Sequence, residues 1–167
     1  VISKTSSAFG RDAQMFDSSF GWRFIHPKMK EMYGVDAMGE TAENLAEMFN
    51  ISRDDQDSFA FWSQQKAAAS IDLLKEEIVA VNIPMKKGDP IVFNTDEFAK
   101  AGTTLEGLAK LRASFRTNGT VTAGNASGLN DGAAALLMAS EHGLKANGLT
   151  PLTRVVSSAV SGVEPRI

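Results

Sequence analysis

Twelve consecutive residues, Val121-Thr122-Ala123-Gly124-Asn125-Ala126-Ser127-Gly128-Leu129-Asn130-Asp131-Gly132, carry almost no side-chain bulk, and they constrain the fold more than any other stretch of the sequence. A backbone with so little bulk is expected to pass close to something, because small residues permit that approach. The stretch is neither a P-loop nor a dinucleotide fingerprint: no Gly-Lys-Ser follows, and the glycines have the wrong spacing. Taken alone, it is either a tight structural turn or a loop that admits a ligand. Ser127 lacks nucleophile-elbow surroundings, so its hydroxyl is expected to form hydrogen bonds rather than attack an acyl group.

The residues after this stretch, Ala133 to Met138, are wholly apolar. They suit a strand buried on both faces or an equally buried helix, with strand preferred. Glu141 to Ala146 reads as a helix stopped near Gly148, and Thr153 to Val160 as another buried strand, so this end implies α/β packing.

Upstream, residues 3 to 21 are rich in Ser and Gly without a sustained period, as in an ordered surface loop. A helix is expected from Thr41, with Thr41 as cap, Ala42, Leu45, Met48 and Phe49 on its apolar face, and Asn50 at its end. Ser52-Arg53-Asp54-Asp55 is a capping-box sequence for a longer helix that presents Phe59, Trp62, Ala69 and Leu73 on one face. Ile78 to Ile83 and Ile91 to Phe93, joined by Lys86-Lys87-Gly88-Asp89, predict a hairpin. Thr103-Thr104-Leu105-Glu106 offers a further capping box for a two-turn helix.

Composition removes several classes of function. The 167 residues contain no cysteine, which excludes disulfides, thiolate metal sites and thiol nucleophiles within this chain. The net charge of −3 offers no long-range attraction to nucleic acid or to an anionic membrane, and no apolar run reaches the roughly 20 residues of a membrane span. A cytoplasmic protein is the expectation. His26 and His142 have no carboxylate or second histidine at ligand spacing, so no metal site is expected. Glu76-Glu77 and Asp54-Asp55 read as solvated faces or helix ends. Both chain ends have the look of cuts within a longer protein.

Three stretches resemble thiolase motifs, in that family's order and spacing: Met38-Gly39-Glu40-Thr41-Ala42-Glu43-Asn44, Ser52 to Ala60 with Ser63 to Ala67, and Val121 to Asp131 with Gly132 to Ala135. Lys87-Gly88-Asp89, Thr103 to Arg112 and Ser161 to Pro165 add weaker likeness, so the resemblance covers nearly the whole chain. It implies an α/β thiolase-like fold, represented by the loop domain with parts of the N- and C-terminal αβ halves. Residues 1–129 would be the loop domain, 130–150 the end of the N-terminal half, and 151–167 the start of the C-terminal half.

The resemblance also implies an acyl-CoA acyltransferase. In the family, a cysteine attacks the β-carbon carbonyl of a 3-ketoacyl-CoA, acetyl-CoA leaves, and the acyl group passes to a second CoA. That cysteine and the catalytic histidine would lie outside this chain, which would contribute CoA binding and oligomer contacts. Ser127 would bond the pantetheine arm of coenzyme A, and Ala123 and Gly124 would let the arm lie against the backbone. Leu108 and Phe115 would border the adenine and pantetheine region, and Met38 the acyl end. Lys100 replaces an arginine often found facing the phosphates, keeping the charge without the bidentate fork.

Gly107 and Ala37 depart from common family residues, and Ala37, with Gly21 to Pro27 and Met32 to Met38, resembles the β-ketoadipyl-CoA thiolases, which implies 3-oxoadipyl-CoA as substrate. Gly39 stands where proline is frequent, a departure from that pattern. Arg23 or Lys28 could pair with such a substrate's free carboxylate, although solvation suffices to explain either. Partners would be coenzyme A and acyl-CoA in a homodimer or homotetramer, with no metal, nucleic acid or membrane. Alternatives are a general 3-ketoacyl-CoA or acetoacetyl-CoA thiolase, and a non-catalytic thiolase-like protein that binds acyl-CoA or lipid.

Overall fold

Local capping sets most of the element boundaries in the computed structural model, which describes residues 2, 4, 5, 7–17 and 21–167. Helix α1 (Pro27–Tyr33) starts at His26, whose Nδ1 accepts from the Lys28 N–H at 3.2 Å, with Pro27 at the first helical position. Helix α2 (Met38–Phe49) ends at Asn50, which adopts a left-handed conformation at φ 51°. Helix α3 (Arg53–Ala69) begins with the expected box: the Asp55 N–H donates to the Ser52 hydroxyl at 3.1 Å. Helix α4 (Ile71–Glu77) follows after a break at Ser70. Strands β1 (Val81–Ile83) and β2 (Ile91–Phe93) pair antiparallel with Ile83 opposite Ile91, forming the expected hairpin, but β1 begins at Val81 and not at Ile78, which caps α4. Helix α5 (Leu105–Ala109) is capped by Thr104, and α6 (Glu141–Asn147) starts at Ser140 and stops at Gly148, φ 62°.

The chain forms two compact units, Val1–Ser127 with Pro165–Ile167, and Gly128–Glu164. In the first, α3 packs against α5 and α4, and an isolated antiparallel bridge joins Ala113 to Thr122. The second contains α6 and otherwise irregular backbone.

Several expectations are corrected. Helix α2 starts at Met38 with Ala37 as cap, and Thr41 lies inside its first turn, donating its N–H to the Ala37 carbonyl. Its buried residues are Glu43, Asn44 and Ala46, whereas Met48 and Phe49 are exposed. The inward face therefore joins Ala46 to the polar Glu43 and Asn44, with Glu40, Ala42 and Leu45 half-buried beside them, because an arginine and backbone N–H groups of the 120–121 segment meet the polar residues there. In α3, likewise, Phe59 and Trp62 are exposed, Lys66 Nζ stands 3.4 Å over the Trp62 ring, and the buried residue is Asp57. Leu73 belongs to α4 and is exposed, since Ser70 interrupts the helix. Helix α5 has five residues and falls short of two turns.

Ala133–Met138 and Thr153–Val160 form no strand; among the described residues the sheet contains β1 and β2 alone. A strand needs a neighbouring edge for its N–H and C=O groups, and no such edge is paired with these runs. The stretch from Ser3 to Gly21 contains no helix among its described residues; Ser3, Ser6, Ser18, Ser19 and Phe20 lie outside them.

Candidate functional site

The small-residue loop is gripped from two helices by buried carboxylates. Glu43 of α2, 4% exposed, accepts from the Thr120 N–H (2.9 Å), the Val121 N–H (2.8 Å) and the Thr120 hydroxyl (3.1 Å). Asp57 of α3, also 4% exposed, accepts from Asn125 Nδ2 at 2.9 Å and from Arg53 Nε at 2.8 Å. Asn125 closes the turn on itself, taking the Thr122 N–H on its Oδ1 at 2.7 Å and donating to the Thr120 carbonyl at 3.1 Å. Gln56 adds a bond to the Thr120 hydroxyl at 2.9 Å. Thr122 at the centre is fully buried.

Arg116 carries the other side of the arrangement. Its Nε and Nη2 both donate to Glu40 Oε2, at 2.9 and 2.8 Å, and Nη2 also reaches Asn44 Oδ1 at 2.7 Å. The hydrogen bond to Glu40 raises the arginine above its ordinary pKa, so it remains cationic. Burial pushes the Glu43 carboxyl up, but the Thr120 and Val121 N–H groups, the Thr120 hydroxyl and the Arg116 charge outweigh it and hold the group below its ordinary range. Glu43 is thus an anion serving as acceptor for a loop whose N–H groups have no helix or sheet to join.

Close packing explains three of the glycines. A Cβ at Gly124 would stand 2.5 Å from both Leu108 Cδ2 and Leu111 Cδ1. One at Gly39 would strike the Phe115 ring, and one at Gly119 the Glu43 carboxylate. The near approach foreseen from sequence is therefore made, at Gly124, by two leucines of this same chain. Those leucines are themselves tethered: Arg53 Nη2 donates to the Leu108 and Leu111 carbonyls at 2.7 and 3.1 Å.

The structure brings the buried Leu108 against Gly124, and Phe115 against Gly39 beside the exposed Met38. Ala123 and Ser127 are exposed on the gripped loop. Lys100 sits in a separate turn before α5, its N–H bound to Gln64 Oε1 at 2.8 Å and its carbonyl accepting from Thr103; no hydrogen bond among these ties it to the loop. Two shallow clefts, one around Trp22, Tyr33 and Asp36 and one around Leu74, Val81 and Phe93, include none of these residues. His142 is exposed on α6, and among the described residues no group of His, Cys, Asp and Glu is arranged to hold a metal. No helix there is long and apolar enough to cross a membrane.

Glu43, Asn44, Arg53, Asp57, Arg116 and Asn125 were not singled out by the sequence reading. The available signal was the spacing of Glu40, Glu43, Asn44 and Glu47 on one face of α2, which by itself is indistinguishable from a solvated stripe.

The sequence profile of the family described as "Thiolase, N-terminal domain" matches residues 10–142. The chain is 54% identical to the 3-oxoadipyl-CoA/3-oxo-5,6-dehydrosuberyl-CoA thiolase of Escherichia coli strain K12 and 52% identical to a beta-ketoadipyl-CoA thiolase of Acinetobacter baylyi. In both cases the whole chain is covered, and it spans 42% of the relative's length. Among solved structures, the Bacillus anthracis acetyl-CoA acetyltransferase matches with a TM-score of 0.71 at 37% identity, over 99% of this chain and 42% of that one.

Proposed function

We propose, from the fact that this chain belongs to the thiolase family and has its α/β fold, that it is the CoA-holding part of a 3-ketoacyl-CoA thiolase acting on 3-oxoadipyl-CoA. In this reading a cysteine thiolate outside these residues attacks the β-carbon carbonyl of the substrate and acetyl-CoA leaves. The acyl group then passes to a second CoA. Residues 1–129 are the loop domain, 130–150 close the N-terminal half and 151–167 open the C-terminal one. The parent is a cytoplasmic homodimer or homotetramer with no metal.

One observation carries the assignment of the ligand. The three segments that resemble family motifs converge on the same buried cluster: Glu43 from the first, Arg53 and Asp57 from the second, and Thr120 to Asn125 at the third. Their shared product is a loop fixed from behind that leaves Ala123 and Ser127 outward. A slender pantetheine arm suits that face, with Ser127 Oγ as its hydrogen-bond partner, Leu108 and Phe115 as apolar border, Met38 toward the acyl end, and Lys100 as a single point charge for the phosphates.

Calorimetric titration with coenzyme A of the gene product spanning the relatives' full length tests the binding half of the reading; saturable heat that Ser127→Val diminishes is expected, and its absence refutes it. The gene product spanning the relatives' full length tests the chemistry. It should release acetyl-CoA from 3-oxoadipyl-CoA faster than from acetoacetyl-CoA, and equal or reversed rates would refute the substrate assignment.

A further inference from the structure

We propose that Glu43, and Asp57 acting through Asn125, are positioning residues that set the ligand-facing loop for CoA rather than merely stabilising the fold, an inference that rests on the reading of that loop as the CoA site. The two carboxylates come from different helices and hold opposite ends of one short turn. Glu43 takes the Thr120 and Val121 N–H groups at its start, and Asp57 takes Asn125 Nδ2 at its end. Between these ends, Thr122 is fully buried, accepting the Gly124 N–H on its Oγ1 at 3.2 Å and the Ala126 N–H on its carbonyl at 3.0 Å. Every buried side-chain polar atom among the described residues has a partner, so the turn carries no unsatisfied buried side-chain group. The consequence is that Ala123 is presented within a turn held at both ends before a ligand arrives, with Ser127 following directly on the Ala126 N–H that closes it, and pre-organisation of that kind is expressed as affinity.

The chemistry of each anchor makes the claim separable from general stability. Glu43→Gln keeps the shape but replaces one acceptor oxygen with a donor that faces loop N–H groups, so the start of the turn must shift. Asp57→Asn does the same between Asn125 and Arg53. Asn125→Asp replaces the donor of that 2.9 Å contact with a carboxylate oxygen that faces both Asp57 and the Thr120 carbonyl, so the end of the turn loses two bonds while the Thr122 N–H keeps its acceptor.

The test uses the gene product spanning the relatives' full length and measures CoA affinity by calorimetry well below the melting temperature of every variant. We expect Glu43→Gln, Asp57→Asn and Asn125→Asp each to weaken CoA binding about tenfold. Lowered melting temperature with unchanged CoA affinity would show an ordinary structural role and overturn the proposal. Absence of CoA binding by the unmodified gene product would instead sink the underlying assignment of the loop. Should Glu43→Gln not fold, Asp57→Asn and Asn125→Asp decide.

Discussion

The region around α2, α3 and the 113–127 loop and the segment Gly128–Glu164 relate hydrophobicity to order in opposite ways. The first buries Glu43, Asn44, Asp57 and Thr122 together with Ala46, Leu108 and Val121. The second is rich in apolar side chains, yet Leu136, Leu137, Val156 and Val160 are all exposed, and its regular structure is α6. The difference teaches that apolar sequence supplies the incentive to bury but not the place. Burial of a backbone requires partners for its N–H and C=O groups, and here side-chain carboxylates provide them for an irregular loop whereas no paired strand provides them for residues 133–138.

The largest effect should come from removing the first carboxylate. Glu43→Leu leaves three donors of Thr120 and Val121 facing an apolar group, and a urea melt should show a loss of about 3–5 kcal/mol; a loss below about 1 kcal/mol would erase the contrast between the regions. Next, Gly124→Val forces a side chain into Leu108 and Leu111, and the same melt should fall by about 1–3 kcal/mol. Acid provides a third probe. Because Glu43 is held below its ordinary range in the folded state, its contribution is present above the unfolded-state pKa of about 4.3 and is lost as pH falls through the lower folded value. Thermal melts from pH 6 down to pH 3 should therefore decline more steeply for the unmodified chain than for Glu43→Gln. Smallest should be Leu137→Ser, where the side chain is already in solvent; a change beyond about 0.5 kcal/mol would mean that the second segment has more cohesion than its exposure indicates.

The parts of the fold visible in sequence are those decided within a few residues. Ser52, Thr104 and Gly148 cap or stop helices as their types demand, and Lys86 to Asp89 turns a hairpin. What sequence reading misassigned depended on partners far along the chain. Glu43 meets Thr120 and Val121 across 77 and 78 positions, and Arg116 meets Glu40 across 76. Without those partners, the polar stripe of α2 reads as a wet face and Met48 and Phe49 as the core. Around the candidate site, the close approach permitted by the small-residue loop was legible and the loop's fastening was not. Leu108 and Gly124 do meet, and so do Phe115 and the neighbour of Met38, whereas Lys100 is held in a separate turn by Gln64.

The close fit of Leu108 and Leu111 over Gly124, of Phe115 over Gly39 and of Glu43 over Gly119 has a consequence for how variation at these positions is interpreted. Any library filtered for folding alone would already lose bulkier residues at all three, so intolerance there says nothing about a cofactor. Ala123 and Ser127 face outward, and depletion of variants at those two, appearing once growth depends on turnover, would carry that message.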